Sequence, residues 1–129
     1  MEILFLTVDE VLELHREQIE LYGGTAELRD MGLLQSAVAM PQTGFAGEYV
    51  HAFPYEMAAA YLFHIAANHP FVDGNKRTAL DAALTFLEAN DFHLDADPIE
   101  VGDLVIALAA GQLAKPAVIE FFKAHVQPR

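Results

Sequence analysis

Apolar residues recur at helical spacing along most of the chain, and they predict a series of amphipathic helices. The Thr-Val-Asp-Glu run at 7–10 matches a capping box, and the Gly-Gly pair at 23–24 is typical of a helix end, so the first helix is predicted between them. Its predicted inward face consists of Val8, Val11, Leu12, His15, Ile19 and Tyr22. A second helix is predicted from Asp30 as N-cap to the residue before Pro41.

The third and fourth predicted helices lie in the middle of the chain. The third is predicted from Pro54 to about Asn68, and it is apolar almost all round, which is typical of a helix in the centre of a fold. The fourth is predicted over 75–89. Its predicted inward residues are Ala79, Leu80, Ala83, Leu84 and Leu87.

Two further helices and two short strands complete the predicted elements. A fifth helix is predicted to begin at 97–98 and to end at Gly111, and a sixth begins at Pro116. Short apolar runs at 3–6 and 92–94 predict small strands. The pattern therefore indicates one all-α domain of about six helices with at most two very short strands.

The segment 42–53 shows no clear period. Its glycines and aromatic residues predict an exposed loop or a small hairpin. The segment is long for a connection in a compact domain, and long loops are often functional.

Composition limits the classes of function. The chain has 129 residues, of which 53% are hydrophobic, so disorder is not expected, and the absence of cysteine excludes disulfides and thiolate metal sites. No charged leader and no membrane-length apolar run occur, which predicts a soluble cytoplasmic protein without a membrane partner. A formal net charge of −12 argues against direct nucleic-acid binding, so a phosphate would need a local positive site.

Residues 69–77 read His-Pro-Phe-Val-Asp-Gly-Asn-Lys-Arg, and they lie between the third and fourth predicted helices. A helix N-terminus carries free backbone N–H groups and a partial positive charge, and Gly74 lets the backbone approach an anion closely. Lys76 and Arg77 fall in the first turn, where cations are unfavourable unless an anion lies nearby. The run therefore predicts a phosphate site.

Three other residues of this run are interpreted one by one. Asp73 is either the N-cap of the fourth helix or a magnesium ligand beside a phosphate. His69 is either a structural or surface histidine or, beside a phosphate site, a general base that works near neutral pH. Phe71 is most simply a core anchor that fixes the loop.

The combination His-Pro-Phe-x-Asp-Gly-Asn-x-Arg closely resembles the signature of the Fic/Doc family, and Lys76 before Arg77 resembles its Doc (death-on-curing) branch. The Tyr-Gly-Gly run at 22–24 and the stretch 29–41 are also similar to Doc toxins, so the resemblance covers nearly the whole chain. It implies a single domain (1–129) that forms a compact helical bundle around a central helical hairpin.

The resemblance implies an enzyme that uses ATP and Mg²⁺ to modify a protein hydroxyl. Doc toxins phosphorylate a threonine of elongation factor Tu and arrest translation, so a kinase toxin of a type II toxin–antitoxin system is expected. In this chain His69 would take the hydroxyl proton, Asp73 would bind Mg²⁺, and Lys76 and Arg77 would clamp the phosphates. The implied nucleotide-binding residues are Phe71, Gly74, Asn75, Lys76 and Arg77.

Two alternative functions stay open at this point. Pro70 and Gly74 follow the general Fic pattern, whereas some Doc sequences differ at both positions, so transfer of AMP is the alternative reaction. Lys76 stands where most Fic proteins have Gly, and its added charge would favour transfer of the terminal phosphoryl group. A non-catalytic protein-binding module is the third hypothesis, which the complete set of base, carboxylate, anion turn and clamp disfavours.

The resemblance also concerns regulation. The inhibitory Ser/Thr-x-x-x-Glu motif of many Fic proteins does not occur, so restraint is expected from a Phd-type antitoxin with a disordered C-terminal segment. Exposed apolar surface on the first, second or sixth helix is predicted to receive it. The segment 42–53 occupies the position of the flap that docks the protein target in the family.

Three residues outside the run are predicted to be structural. His15 and His64 are interpreted as hydrogen-bonded core histidines. Arg29 is predicted to pair with Glu27 or Asp30.

Overall fold

The computed structural model describes residues 2–129, which form six α-helices, one 3₁₀ turn (Met40–Gln42) and four very short strands. The helices are α1 (Val8–Tyr22), α2 (Met31–Ala39), α3 (Tyr55–Asn68), α4 (Asn75–Ala89), α5 (Pro98–Ala109) and α6 (Lys115–His125). The strands are β1 (Gly44–Phe45), β2 (Glu48–Tyr49), β3 (Phe92–Leu94) and β4 (Val126–Pro128). The predicted all-α class and six helices are confirmed, with four short strands in the described residues instead of two at most. None of these helices in residues 2–129 is long and apolar enough to cross a membrane.

The helical hairpin of α3 and α4 forms the centre of the bundle. Helix α3 packs against α4 along its length and also contacts α2, α5 and α6, which confirms its predicted central position. Its buried residues are Met57, Ala58, Ala59, Ala60, Tyr61, Leu62, Ile65 and Ala66. The small alanines let the neighbouring helices approach closely, while each large apolar side chain contributes roughly 1.5–3 kcal/mol on full burial.

The inward face of α4 differs in part from the prediction. The predicted core residues that are buried are Ala79, Ala83 and Leu87. Leu80 and Leu84 are only half-buried, because they line an apolar groove between α4 and α5. Phe86 is buried instead, where its ring contacts Phe5, Phe53 and Tyr61.

Local capping signals define where the helices begin. The Thr7 backbone N–H donates to Glu10 Oε1 (2.9 Å), and Glu10 N–H donates to Thr7 Oγ1 (3.1 Å), which confirms the predicted capping box. Asp30 caps α2 through a hydrogen bond from Leu33 N–H (3.0 Å). The prediction for Tyr22 is wrong, since this last residue of α1 is 64% exposed.

The predicted strand at 3–6 is not formed. Leu4 N–H donates to Asn90 Oδ1, and Asn90 Nδ2 donates to the Leu4 carbonyl, both at 2.9 Å. The Leu6 N–H donates to the hydroxyl of Tyr61 (2.9 Å). The Tyr61 side chain of α3 and the side chain of Asn90, the C-cap of α4, thus satisfy backbone groups that would otherwise need a neighbouring strand.

The short strands form two separate antiparallel pairs. Antiparallel pairing of β1 with β2 confirms the small hairpin predicted within 42–53, and its Phe45 and Tyr49 side chains are exposed. The predicted strand at 92–94 is confirmed as β3, which pairs with β4 at the end of the chain.

Candidate active site

The turn at 69–77 connects α3 to α4 at one end of the central hairpin, and two left-handed residues give it its shape. His69 is the C-cap of α3 with φ 50° and ψ 55°, and Gly74 precedes α4 with φ 77°. Glycine adopts this conformation readily, whereas a histidine adopts it only where the surrounding structure stabilises it. The His69 side chain is exposed at this point.

The connection between α1 and α2 holds the turn through backbone hydrogen bonds. The N–H groups of Arg29 and Asp30 donate to the Pro70 carbonyl at 2.7 and 3.0 Å, and Val72 N–H donates to Glu27 O at 3.1 Å. The turn is therefore fixed along one edge by a neighbouring segment of backbone.

Arg29 has a different role from the one predicted. Its Nε donates to the His69 carbonyl (2.6 Å) and its Nη2 to the Asn68 carbonyl (2.9 Å). Among residues 2–129 it forms no ion pair with Glu27 or Asp30, so that prediction is wrong. The last carbonyls of a helix have no partner within the helix, and a guanidinium can bind two of them at once.

The inner face of the turn is buried. Phe71 is fully buried and its ring stacks on that of His15, with centroids 3.6 Å apart and an interplanar angle of 6°. The Asn75 side chain accepts from Phe71 N–H (3.0 Å) and donates to Phe71 O (2.8 Å). Because Phe71 has no exposed surface, its side chain is not available to a nucleotide as the resemblance implied. The structure agrees instead with its other predicted role, as a core anchor that fixes the loop.

His15 is confirmed as a hydrogen-bonded core histidine. It is 2% exposed, and its Nε2 lies 2.8 Å from the Asp73 carbonyl oxygen. The bond links α1 to the turn across 58 positions of sequence.

The outer face of the turn lines two clefts. His69, Asp73, Gly74, Asn75 and Lys76 line a cleft of about 230 Å³. A second cleft of about 330 Å³ shares the residues from Asp73 to Lys76 and is closed by Arg77 and the end of α1. The structure thus brings together the predicted site residues except Phe71, which lies beneath them.

Asp73 does not cap α4, because the N-cap residue is Gly74. Its Oδ2 instead accepts the Thr25 N–H at 2.9 Å. A Cβ on Gly24 would lie 3.1 Å from the Asp73 Cβ, so a residue without a side chain lets the carboxylate sit close to the α1–α2 connection. The interpretation of Asp73 as the N-cap is therefore wrong, and its carboxylate remains exposed in the clefts.

The donor set suits a magnesium ion held partly by a nucleotide. No cluster of three or more His, Asp or Glu side chains that could hold a metal occurs in the described part of the chain. Magnesium is commonly bound by one or two carboxylates together with phosphate oxygens and water. A single exposed carboxylate beside an anion-binding turn, as Asp73 provides, fits that mode of binding.

The start of α4 offers backbone donors to a ligand. In residues 2–129 no side chain caps its first N–H groups. Lys76 and Arg77 lie in the first turn, as predicted, and both are exposed. The Arg77 guanidinium lies over the ring of Tyr22, 5.0 Å from its centroid, a contact that the sequence pattern did not reveal.

A second group of basic side chains lies away from the turn, and we call His51, His64 and Lys115 the lysine cluster. Lys115 Nζ is 2.7 Å from His51 Nε2 and 2.9 Å from His64 Nε2. Burial, and then the charge of Lys115, lowers the pKa of His64 to about 4 and also lowers the pKa of His51. His64 is half-buried and hydrogen-bonded, which agrees with its predicted structural role.

Known proteins share both the turn and its surroundings. The model of the Fic/DOC family matches residues 5–87, which include the whole turn and most of the helices around it. The chain belongs to the Fic/DOC family. The resemblance drawn from the 69–77 run is thereby confirmed.

Two curated relatives extend the match. The chain is 51% identical over 78 residues to Toxin Doc of Mycolicibacterium smegmatis, a match covering 59% of this chain and 58% of that protein. It is 33% identical over 115 residues to Protein kinase doc of Escherichia phage P1, covering 89% of this chain and 90% of that protein. Both relatives carry the Doc name, in agreement with the predicted branch.

Proposed function

We propose that this protein is a Doc-type toxin that transfers the terminal phosphoryl group of ATP to a protein hydroxyl and thereby arrests translation. The observation that carries the proposal is the convergence of His69, Asp73 and Lys76 on one cleft at the open start of α4. The names of the two relatives, a toxin and a protein kinase, support the same assignment. The hydroxyl of a threonine in elongation factor Tu is the proposed substrate.

His69 is the proposed general base. The substrate hydroxyl oxygen forms a bond to the terminal phosphorus, the bond from that phosphorus to the bridging oxygen breaks, and ADP leaves with the electron pair. The hydroxyl proton passes to the His69 imidazole. The exposed position of His69, and the two bonds from Arg29 that fix the end of α3 beneath it, support this role.

The first turn of α4 is the proposed phosphate site. Phosphoryl transfer depends mainly on positioning and on neutralising charge, because the protein makes no covalent bond to the phosphorus. Free N–H groups at the helix start would bind phosphate oxygens, and Lys76 and Arg77 would add full positive charges. Lys76 borders both clefts, so its ammonium can reach a phosphate on either side of the turn.

Asp73 is the proposed magnesium ligand. Its Oδ2 is held by Thr25 N–H, which leaves Oδ1 available on the exposed side. When bound, magnesium would neutralise charge on the phosphate oxygens. The carboxylate itself would orient the nucleotide relative to Lys76 and the start of α4.

Mass spectrometry of elongation factor Tu after incubation with this protein, ATP and Mg²⁺ tests the reaction. We expect a mass gain of one phosphate group on one threonine, and no gain with His69→Ala. A gain of one AMP would support the alternative reaction, which is favoured by the Pro70 and Gly74 pattern shared with Fic proteins. No modification of any protein in a translation extract would support the binding-module hypothesis.

A Phd-type antitoxin is the proposed partner. Exposed large apolar side chains occur on α1 (Leu21) and α2 (Met31), as predicted, and also on α5 (Ile99 and Ile106). Helix α6 exposes none among the described residues, and the predicted contribution of α6 is therefore dropped.

The groove between α4 and α5 is the proposed docking surface for this antitoxin. Its floor consists of Leu80, Leu84, Val101, Gly102 and Val105, and one end reaches Lys76 and Arg77. In a chain of net charge −12, this basic end suits an acidic residue at one end of an apolar antitoxin segment. An occupant would also cover the phosphate clamps, which links binding to inhibition.

Expression in bacteria tests the toxin assignment. We expect the wild-type chain to arrest growth, the His69→Ala variant to be tolerated, and co-expression of the antitoxin to restore growth. Ile106→Glu, which changes a 61% exposed residue beside the groove, is expected to remain toxic but to escape the antitoxin. Equal tolerance of the wild type and His69→Ala would argue against a toxin.

The β1–β2 hairpin within 42–53 is the proposed docking flap for the protein target. Its Phe45 side chain is 82% exposed and Tyr49 is 52% exposed, which gives an apolar surface to a partner strand or loop. Phe45→Ser is expected to raise KM for the protein substrate with little change in ATP binding.

A further inference from the structure

We infer that His15 is a positioning residue that locks the peptide between Asp73 and Gly74, so that the Gly74 N–H points toward the bound phosphate. This inference rests on the proposed phosphate site at the start of α4. His15 touches neither proposed substrate, because it is 2% exposed and lies beneath the turn. Its effect is exerted through a single backbone carbonyl.

The hydrogen bond fixes the tautomer of His15. A carbonyl oxygen only accepts, and the Asp73 oxygen lies 2.8 Å from Nε2, so Nε2 carries a proton and is the donor. The ring is held in this orientation by its parallel stack on Phe71. A donor is thus presented to the turn from a fixed direction.

The geometry of the peptide relates the direction of the Asp73 carbonyl to the direction of the next N–H, that of Gly74. The Asp73–Gly74 bond is trans, and in a trans peptide the C=O and the following N–H point in opposite directions. Since the Asp73 carbonyl points inward to His15, the Gly74 N–H points outward to the clefts that this turn lines. Within residues 2–129 that N–H has no hydrogen-bond acceptor, so it is free for a ligand.

Because residue 74 is a glycine, the Asp73–Gly74 peptide needs a hydrogen bond to hold it in one orientation. Its φ of 77° lies in the left-handed region, and glycine adopts negative φ equally well. A flip of the preceding peptide is therefore sterically open, and it would turn the Asp73 carbonyl oxygen toward the phosphate. A partial negative charge would then replace a donor at the point where negative charge must be bound.

Two variants distinguish the effect of the His15 N–H donor from the effect of its aromatic ring. His15→Phe keeps the aromatic stack on Phe71 and removes the N–H. His15→Gln removes the ring but places an Nε2–H donor at a similar reach. Thermal unfolding of both variants reports any general loss of packing.

Nuclear magnetic resonance of the Gly74 amide during titration with inorganic phosphate, and then with ATP and Mg²⁺, tests the inference. We expect a large downfield shift in the wild type and in His15→Gln, and a much smaller one in His15→Phe. In the transfer assay, kcat of His15→Phe should fall roughly tenfold to a hundredfold with KM for the protein substrate unchanged, and His15→Gln should restore most of it.

The possible outcomes distinguish this inference from the proposed function. A full Gly74 shift in His15→Phe, or a wild-type amide that does not respond to phosphate, would overturn the inference. A normal pattern of amide shifts without any phosphoryl transfer would support the lock and contradict the kinase. If His15→Phe does not fold, nuclear magnetic resonance of the His15 ring in the wild-type protein tests the inference. A slowly exchanging Nε2–H would support the lock, and a ring protonated only on Nδ1 would overturn it.

Discussion

His64 and His69 are five residues apart at the end of α3, yet their surroundings are opposite. His69 is exposed in a cleft, on a turn whose backbone is held by Arg29 and by the segment that precedes α2. His64 is half-buried against Lys115, within the lysine cluster. The cluster contains titratable groups whose pKa values are lowered, but the exposed turn is the one that a substrate could reach.

The difference shows that a lowered pKa does not by itself indicate an active site. The pKa of His64 is low first because burial disfavours its charged form, and the pKa of Lys115 is lowered by burial as well. Perturbed groups are candidates for function only where a ligand can reach them. At the 69–77 turn the candidate site consists instead of uncapped backbone N–H groups, an exposed carboxylate and two exposed cations.

The largest difference in activity is expected between variants in which each of the two histidines is replaced separately. His69→Ala should lower the rate of phosphoryl transfer by about 10²–10⁴-fold, the range for loss of a general base, with little change in thermal stability. His64→Gln should leave the rate within about twofold, because Gln can still accept a hydrogen bond from Lys115. Similar losses of rate in both variants would contradict the distinction between the turn and the lysine cluster.

A smaller effect is expected from removing a single charge at the turn. Lys76→Gln should lower kcat about tenfold to a hundredfold, because the variant loses one cation that is proposed to neutralise the transferred phosphoryl group. Lys123→Gln removes the same charge from an exposed position on α6 and is the matched control. If both variants lose activity equally, net charge and not the phosphate site explains the effect.

The lysine cluster should determine part of the pH dependence of stability. His64 has its pKa lowered to about 4, so between pH 6.5 and 4 the unfolded state binds a proton that the folded state does not. Its contribution to stability is full above about pH 6.5 and is lost progressively as the pH falls toward 4. After solvent screening of a half-buried group is allowed for, the loss is about 1 kcal/mol.

Urea unfolding of the wild type and of His64→Gln over this pH range measures that loss. The wild type should lose stability more steeply toward acid, because Gln does not titrate. Parallel curves for the two proteins would show that His64 is not the responsible group.

The smallest effect is expected at the contact between Tyr22 and Arg77. Tyr22→Leu removes a cation–π interaction worth about 0.5–1 kcal/mol at an exposed site, so ATP affinity should fall only about twofold to fivefold. Tyr49→Leu, a change of the same kind on the β1–β2 hairpin, is the control for ATP binding. No change in affinity with Tyr22→Leu would mean that the ring does not orient Arg77.

Structural features that depend on residues close together in the sequence were predictable. Contacts between residues that are far apart in the sequence were not. The capping box at Thr7, the N-cap at Asp30 and the start of α4 depend on residues within one turn of each other, and all three are confirmed. The cleft at 69–77 was predictable because the groups proposed to bind a ligand lie within a single short run of sequence.

The residues that hold the 69–77 turn in place come from distant parts of the sequence. His15 lies 58 positions from Asp73, and Arg29 lies 40 positions from His69, so their contacts follow from the packing of α1 and α2 against the turn. The lysine cluster likewise forms because α6 begins beside α3. No periodicity reveals such contacts, since any exposed carbonyl or carboxylate could serve as the partner of an arginine.

Transfer of label from ATP to elongation factor Tu tests the central claim most directly. ATP is labelled at the γ-phosphorus in one reaction and at the α-phosphorus in another, with wild type, His69→Ala and His64→Gln in parallel. We predict that γ-label alone is transferred, by wild type and His64→Gln but not by His69→Ala. Transfer of α-label by the wild type, or of γ-label by His69→Ala, would contradict the assignment of the 69–77 turn as a phosphoryl-transfer site.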